Sequence, residues 1–334
     1  MESDKTETID DKNNQEDGAE SGQKKRPRNP TPITKDGEMP QKRFYRSRAH
    51  CNPLAHNDTF EYPITPSSMD WSVHYPNNTV NNDNDNKDDS NGDAATTTTK
   101  TPTASSSSSS SSVVTKAPTV LDIGCGFGGL TIKLATLLPD EVILGMEIRA
   151  KVCEYVRLRI VAHRKEHPGL YGNTSVLRTN SMKFLPHYFG RASLHKLFFC
   201  FPDPHFKRKN HGRRIVTTRL LSEYAYLLKP VEGRLYCVTD VKELHDWHVQ
   251  HCDAHPLFER LNQDECKADP CVEAMLTTTE ESQKVDRAGT AKHYAVYRRL
   301  PDRAADATEG RMDTFFQVAT DDCVGDDGKV DGPN

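Results

Sequence analysis

An α/β fold, a doubly wound and mostly parallel sheet with helices on both faces, is predicted for this chain by three features. Thr119-Val120-Leu121-Asp122-Ile123 is a short apolar run leading into a glycine turn, Gly124-Cys125-Gly126-Phe127-Gly128-Gly129, which opens into Leu130, Leu134, Leu137 and Leu138 at helical spacing. A second apolar run, Val142-Ile143-Leu144-Gly145-Met146, ends in Glu147, about twenty residues past the glycines. From there to residue 300, short apolar runs alternate with helical periodicity, the pattern of a sheet built from strand–helix–strand units.

Each element has its own reason. Strands are predicted at 119–123, 142–147, 175–178, 196–201, 234–239 and 293–299, where apolar runs are too short for helices and are bounded by turn residues. Helices are predicted at 129–138, 149–166, 215–229 and 241–252. In the second of these, Val152, Tyr155, Val156 and Ile160 make one apolar stripe, which reads as a core face. Ligands of such sheets bind outside the carboxyl ends of the strands, where the glycine turn, Glu147, Asn180 and Asp203 all fall.

Composition sets the frame around this domain. Of 334 residues only 35% are hydrophobic and the mean hydropathy is -0.74, as expected when disordered segments dilute one compact domain. The expected organisation is a polar tail over 1–41, a basic aromatic arm over 42–76, a disordered insertion over 77–116, a catalytic domain over 117–300 and an acidic disordered tail over 301–334. The insertion is an Asn/Asp tract, a Thr run and then serines from Ser105 to Ser112, too poor in apolar side chains to offset its ordering entropy. Nine cysteines without CxxC pairs point to reduced, buried thiols in an intracellular chain rather than to disulfides or zinc. No run approaches the roughly 18 apolar residues of a membrane span, and the amino terminus lacks a signal peptide.

The chemistry concentrates at Phe201-Pro202-Asp203-Pro204-His205-Phe206-Lys207, which follows the strand-like Leu197-Phe198-Phe199-Cys200 and runs into Arg208 and Lys209. Proline fixes φ and keeps the preceding residue out of the helical region, so Asp203 is expected on a stiff turn at a strand end. Taken alone, the tripeptide is equally well a rigid turn beside a solvated face. Lys207, Arg208, Lys209, Arg213 and Arg214 would form a phosphate rail. The arm segment Lys42-Arg43-Phe44-Tyr45-Arg46 interleaves cations with aromatics, which suits either gripping and stacking on a nucleic acid or packing Phe44 and Tyr45 on the core. His205 and His211 read as hydrogen-bonding residues of the turn. Lys24-Lys25-Arg26-Pro27-Arg28 reads as a nuclear import signal or as an ordinary solvated charge run.

Gly124, Gly126 and Gly129 satisfy the dinucleotide fingerprint G-x-G-x-x-G, so the glycines alone do not choose a cofactor. Asp122 favours S-adenosylmethionine, because a carboxylate two residues before the first glycine repels a pyrophosphate and attracts a sulfonium and an ammonium; the ordinary alternative is an Asp bonded to loop amides.

These residues carry a family resemblance. The set Leu121 to Gly129, Gly145-Met146-Glu147-Ile148-Arg149, Asn180-Ser181-Met182-Lys183-Phe184-Leu185-Pro186, Phe201 to Lys207, Thr239 to Trp247 and Thr277-Thr278-Thr279-Glu280-Glu281 resembles the eukaryotic tRNA (guanine-N7-)-methyltransferases. The likeness covers residues 40–76 and 117–300. It implies a Rossmann-like class I methyltransferase fold and transfer of a methyl group from S-adenosylmethionine to N7 of guanine 46 of tRNA. It further implies a nuclear catalytic subunit in a heterodimer with a WD-repeat protein. Carried over residue by residue, Asp203 is catalytic, while Gly124, Glu147, Arg149, Asn180, Ser181, Cys200, Thr279 and Glu281 bind the cofactor. The basic residues named above, with Lys42, Arg43 and Arg46, bind tRNA. The family usually has alanine at 181, an aliphatic residue at 200 and a shorter connection before the first core strand. The Thr/Glu segment also reads as a helix cap, which is compatible with binding. Competing readings are a methyltransferase for another RNA or another acceptor, a nicotinamide oxidoreductase, and an RNA-binding module without activity.

Overall fold

The computed structural model describes residues 34–47, 52–54, 60–75, 79–80 and 114–302. The Lys24–Arg28 cluster, most of the 1–41 tail, nearly all of the 77–116 insertion and the tail beyond 302 lie outside the described residues.

Seven strands make one sheet: β1 (Val120–Ile123), β2 (Ile143–Glu147), β3 (Thr174–Arg178), β4 (Lys196–Cys200), β5 (Arg234–Thr239), β6 (Phe258–Arg260) and β7 (His293–Arg299), in the order β3-β2-β1-β4-β5-β7-β6. The first five pair in parallel, and β7 runs antiparallel to both of its neighbours. The chain winds outward from β1 to β3, then returns to the other side of β1 for β4. The strand order therefore reverses between β1 and β4, which is where open α/β sheets bind ligands. Register keeps the strand ends level: Ile123 sits opposite both Met146 and Phe199, and Phe199 opposite Cys237. The six strands expected from the sequence are present. β6 is additional; its three residues bury only Phe258, too little for a periodic signal.

Eight α-helices occur among the described residues: α1 (Gly129–Leu137), α2 (Ala150–Glu166), α3 (Ser181–Tyr188), α4 (Thr218–Leu227), α5 (Lys242–Ala254), α6 (Gln263–Ala268), α7 (Pro270–Thr277) and α8 (Glu280–Ala288). Four were expected. Alternating strand residues divide the core into two: Leu121, Ile123, Leu197 and Phe199 face α3, α4 and α5, whereas Val120, Ile143 and Phe198 face α1 and α7. Burial on both faces is why the strands read as unbroken apolar runs. The stripe of α2 is buried as expected, with Val152 and Val156 fully covered.

The arm is built into the domain. Tyr45 is buried edge-on against Tyr155, with ring centroids 5.7 Å apart, and donates its hydroxyl to Thr34. Trp71 stacks on Phe189, and the fully buried Tyr75 donates its hydroxyl to the Ile143 carbonyl at 2.8 Å. Thr79–Val80 and Val114–Thr115 form a short antiparallel pair. The seven described cysteines are free, and all but Cys200 are buried. No helix among the described residues is long and apolar enough to cross a membrane.

Candidate active site

A cavity of about 570 Å³ opens at the carboxyl ends of β1, β2, β4 and β5, around the point where the strand order reverses. Its floor is the glycine turn. Gly124 has φ +70°, a left-handed conformation that side chains adopt poorly. Gly129 is needed for a different reason: a Cβ there would come within 2.2 Å of the Thr278 carbonyl, so glycine alone lets the start of α1 meet the α7–α8 junction.

All eight residues expected to bind the cofactor line this cavity: Gly124, Glu147, Arg149, Asn180, Ser181, Cys200, Thr279 and Glu281. Glu147, 3% exposed at the end of β2, accepts two bonds from Arg149, Nε to Oε1 at 3.0 Å and Nη2 to Oε2 at 2.8 Å. The Arg149 amide also donates to Oε1, at 2.9 Å. These charge-assisted bonds fix the carboxylate and leave lone pairs for vicinal hydroxyls. Asn180 caps α3, its Oδ1 accepting from the Met182 amide, while its Nδ2 donates to the Pro53 carbonyl of the arm at 2.6 Å. Pro53 thereby joins the cavity wall. Burial, with Asp122 nearby, pushes the Cys200 thiol well above its ordinary value and keeps it protonated.

Asp122 is 1% exposed and accepts a bond from the Thr131 hydroxyl at 2.7 Å, so it bonds a side chain of α1. Burial pushes its carboxyl up to about 7; the Thr131 bond opposes this, and Glu280 and Glu147 add to it. The raised value means that the fold prefers the protonated form, and stability is lost as pH rises from the ordinary carboxylate range through about 7. A cationic ligand has the opposite preference. S-adenosylmethionine affinity is expected to fall by up to about tenfold per pH unit below neutrality, a trend that Asp122→Asn should flatten in calorimetric titrations; an equal pH slope in wild type and variant would contradict this.

Thr279 realises the capping alternative and still lines the cavity: its hydroxyl accepts from the Ser282 amide at the start of α8. Glu280 anchors that helix, accepting from Lys42 at 2.9 Å and Arg159 at 3.1 Å, and Glu281 pairs with Lys284. Lys42 also lies 5.4 Å from the centre of the Phe127 ring. The arm is therefore latched to two walls of the cavity.

Asp203 lines the same cavity, just past the end of β4. Its turn is strained. Phe201 and His205 both hold positive φ, +50° and +45°, without being glycine. Such conformations cost of order 1 kcal/mol each and persist where surrounding bonds enforce them. The Phe201 amide donates to Val238 at 2.8 Å, and the Pro204 carbonyl accepts from Arg214 Nε at 2.8 Å. Beyond the turn, a 3₁₀ segment at Arg208–Arg213 presents the cations. Lys207, Arg208 and Lys209 are exposed, Phe206 stands 64% exposed among them, and Arg213 reaches the cavity wall.

The structure corrects one assignment. Arg214 is 1% exposed and turned into the protein, so it is no part of a phosphate rail. In the arm Lys42 is paired with Glu280, while Arg43, which lies 4.7 Å from the Phe44 ring centre, and Arg46 are exposed beside the buried Tyr45. Sequence reasoning passed over Asp240 and Lys284 as site residues, although both line the cavity; Glu280, which belongs to the late Thr/Glu motif, lines it as well. Asp240 follows β5 as Asp203 follows β4, and that parallel was a usable signal.

The wall now holds Asp122, Glu147, Asp203, Asp240, Glu280 and Glu281, an acidic set that suits a cationic, ribose-bearing cofactor and opposes a pyrophosphate. S-adenosylmethionine fits it: Glu147 is placed for its hydroxyls, and Asp122 beside the glycine turn for its positive charge.

Comparison with known proteins gives the same answer. A family described as "Putative methyltransferase" matches residues 116–295. The tRNA (guanine-N(7)-)-methyltransferase of Chaetomium globosum is 51% identical over 80% of this chain and 90% of its own length. That of Oryza sativa subsp. japonica is 46% identical over 79% of this chain and 93% of its own, and that of Caenorhabditis briggsae 46% over 81% and 93%. Likeness at this level over about four fifths of the chain shows that it belongs to the tRNA (guanine-N7-)-methyltransferase family.

Proposed function

We propose that this protein methylates N7 of guanine 46 in tRNA, with Asp203 as the catalytic residue, as the nuclear catalytic subunit of a heterodimer with a WD-repeat protein. The observation that carries the reading is the convergence of Gly124, Glu147 and Asp203 on one cavity at the reversal of strand order, with Lys207, Arg208 and Lys209 exposed beside it. The family resemblance supports the position and the partner, and the Lys24–Arg28 cluster supports the compartment.

Bound S-adenosylmethionine supplies an electrophilic methyl group. Guanine N7 already presents a lone pair, so no base is required before attack; the protein must hold the ring in line. Asp203 orients the guanine by accepting from its N–H groups, and its carboxylate offsets the positive charge that develops on the base. The rigid, proline-flanked turn makes this charge preorganised. Glu147 and Asn180 hold the cofactor end of the cavity, and the arm is tied to its wall by Pro53 on Asn180 and Lys42 on Glu280.

Lys207, Arg208 and Lys209 position the tRNA without reading its sequence. Neutralising the three together is expected to weaken binding of every tRNA about equally and to reduce the slope of log affinity against log salt by about 2; an unchanged slope would assign them a protein-facing role. The proposal as a whole is tested by mapping 7-methylguanosine along tRNA after reaction with and without the co-expressed WD-repeat protein. Modification confined to guanine 46 and raised by the partner is expected; modification elsewhere would overturn the position.

A further inference from the structure

We infer that Arg214 is a positioning residue that sets the Asp203 turn from inside the protein, a role that rests on the assignment of Asp203 given above. Arg214 closes the basic loop, yet its side chain is only 1% exposed. Its Nε donates to the Pro204 carbonyl at 2.8 Å, and its Nη2 donates to Glu243 at 2.7 Å, in the first turn of α5. The guanidinium lies 4.6 Å from the centre of the Trp247 ring, whose indole N–H is itself fixed by the Val216 carbonyl at 2.7 Å.

One planar cation thus bridges the two strand-end segments that carry acidic residues of the cavity. On one side it holds the residue immediately after Asp203; on the other it holds α5, which begins just past Asp240. The Pro204 carbonyl lies between the two left-handed residues Phe201 and His205, so this bond restrains the backbone where it is strained. The same bond ties residue 204 to residue 214, the two ends of the loop that bears Lys207, Arg208, Lys209 and Arg213. Movement of the basic surface on tRNA is therefore transmitted to the carboxylate. Lysine cannot replace this fork, since a single ammonium lacks the planar array that serves a carbonyl and a carboxylate at once while stacking on indole. Burying a cation is unfavourable unless it is paired, and here the Glu243 carboxylate of α5 and the Pro204 carbonyl of the catalytic turn are its partners.

The test compares Arg214→Lys, Glu243→Gln and Asp203→Ala in the full chain with its partner subunit, reading kcat, cofactor affinity, tRNA affinity and thermal unfolding. Small misplacements of reacting groups can cost about 100-fold, so Arg214→Lys is expected to lower kcat about 10- to 50-fold while both affinities stay within about threefold. Glu243 is half exposed, so its glutamine variant should fold and lose kcat about 3- to 10-fold. An Arg214→Lys enzyme with kcat unchanged beside an inactive Asp203→Ala would overturn the inference. If Arg214→Lys fails to fold, an unchanged kcat in Glu243→Gln does so instead. A fully active Asp203→Ala would remove the assignment of Asp203 itself, and the inference with it.

Discussion

Replacement of Asp203 by alanine is expected to lower kcat by about 10²- to 10³-fold while leaving S-adenosylmethionine binding intact, because in the proposed role the carboxylate acts on charge that develops only as the methyl transfers. The turn should survive the change. Its conformation is held by Pro202 and Pro204, by the Phe201 amide on Val238 and by Arg214 on the Pro204 carbonyl. Steady-state kinetics with tRNA, alongside calorimetric titration of the cofactor, check this. Full turnover in a folded Asp203→Ala protein would show that positioning by the remaining walls suffices. Asp203→Asn should fall between the two, since an amide keeps one acceptor but loses the negative charge.

Glu147→Ala is expected to act on the other substrate. With Glu147 assigned to two ribose hydroxyls, each bond to the buried carboxylate worth about 1.5–3 kcal/mol, cofactor affinity should fall about 10²- to 10⁴-fold. The turnover number at saturating cofactor should change little. Part of the loss comes from Arg149, which would keep its charge beside the cavity without the bidentate partner seen here. A Glu147,Arg149 double alanine variant separates the two effects, for the loss of the ribose bonds persists in the double variant while the orphaned charge is removed. Unchanged affinity in Glu147→Ala would place the ribose elsewhere in the cavity.

Much of the fold was legible because a sheet covered on both faces writes continuous apolar runs, and β1, β2, β4 and β5 are of that kind. The helices that escaped notice are short or interrupted. α3 contains Pro186, which reads as a breaker, although only one bond near the end of an eight-residue helix is forfeited. α6 and α7 carried ordinary start signals, the Asn262–Glu265 capping box and Asp269 before Pro270, but α6 is short and polar, and α7, apolar at Cys271, Val272, Ala274 and Met275, spans only eight residues.

The site divides in the same way. Glycine turn, Glu147, Asn180 and Asp203 were legible because each terminates a strand, and strand ends converge once the sheet is doubly wound. Arg213 and Arg214 were not separable by composition, since both are arginines at the end of a basic run. Backbone geometry separates them: Arg214 is extended, with φ −65° and ψ 138°, so neighbours point to opposite sides and Arg214 shares its side with the fully buried Val216. What could not be read was the latch of Lys42 on Glu280, or of Asn180 on Pro53, because contacts across more than a hundred residues have no local signature.

The most direct test of the account is methyl transfer from labelled S-adenosylmethionine to total tRNA, with the proposed WD-repeat partner co-expressed, followed by nucleoside analysis. Label recovered in 7-methylguanosine, and lost in Asp203→Ala, is the predicted result. Label in any other nucleoside, or full labelling of 7-methylguanosine by a folded Asp203→Ala protein, would contradict it.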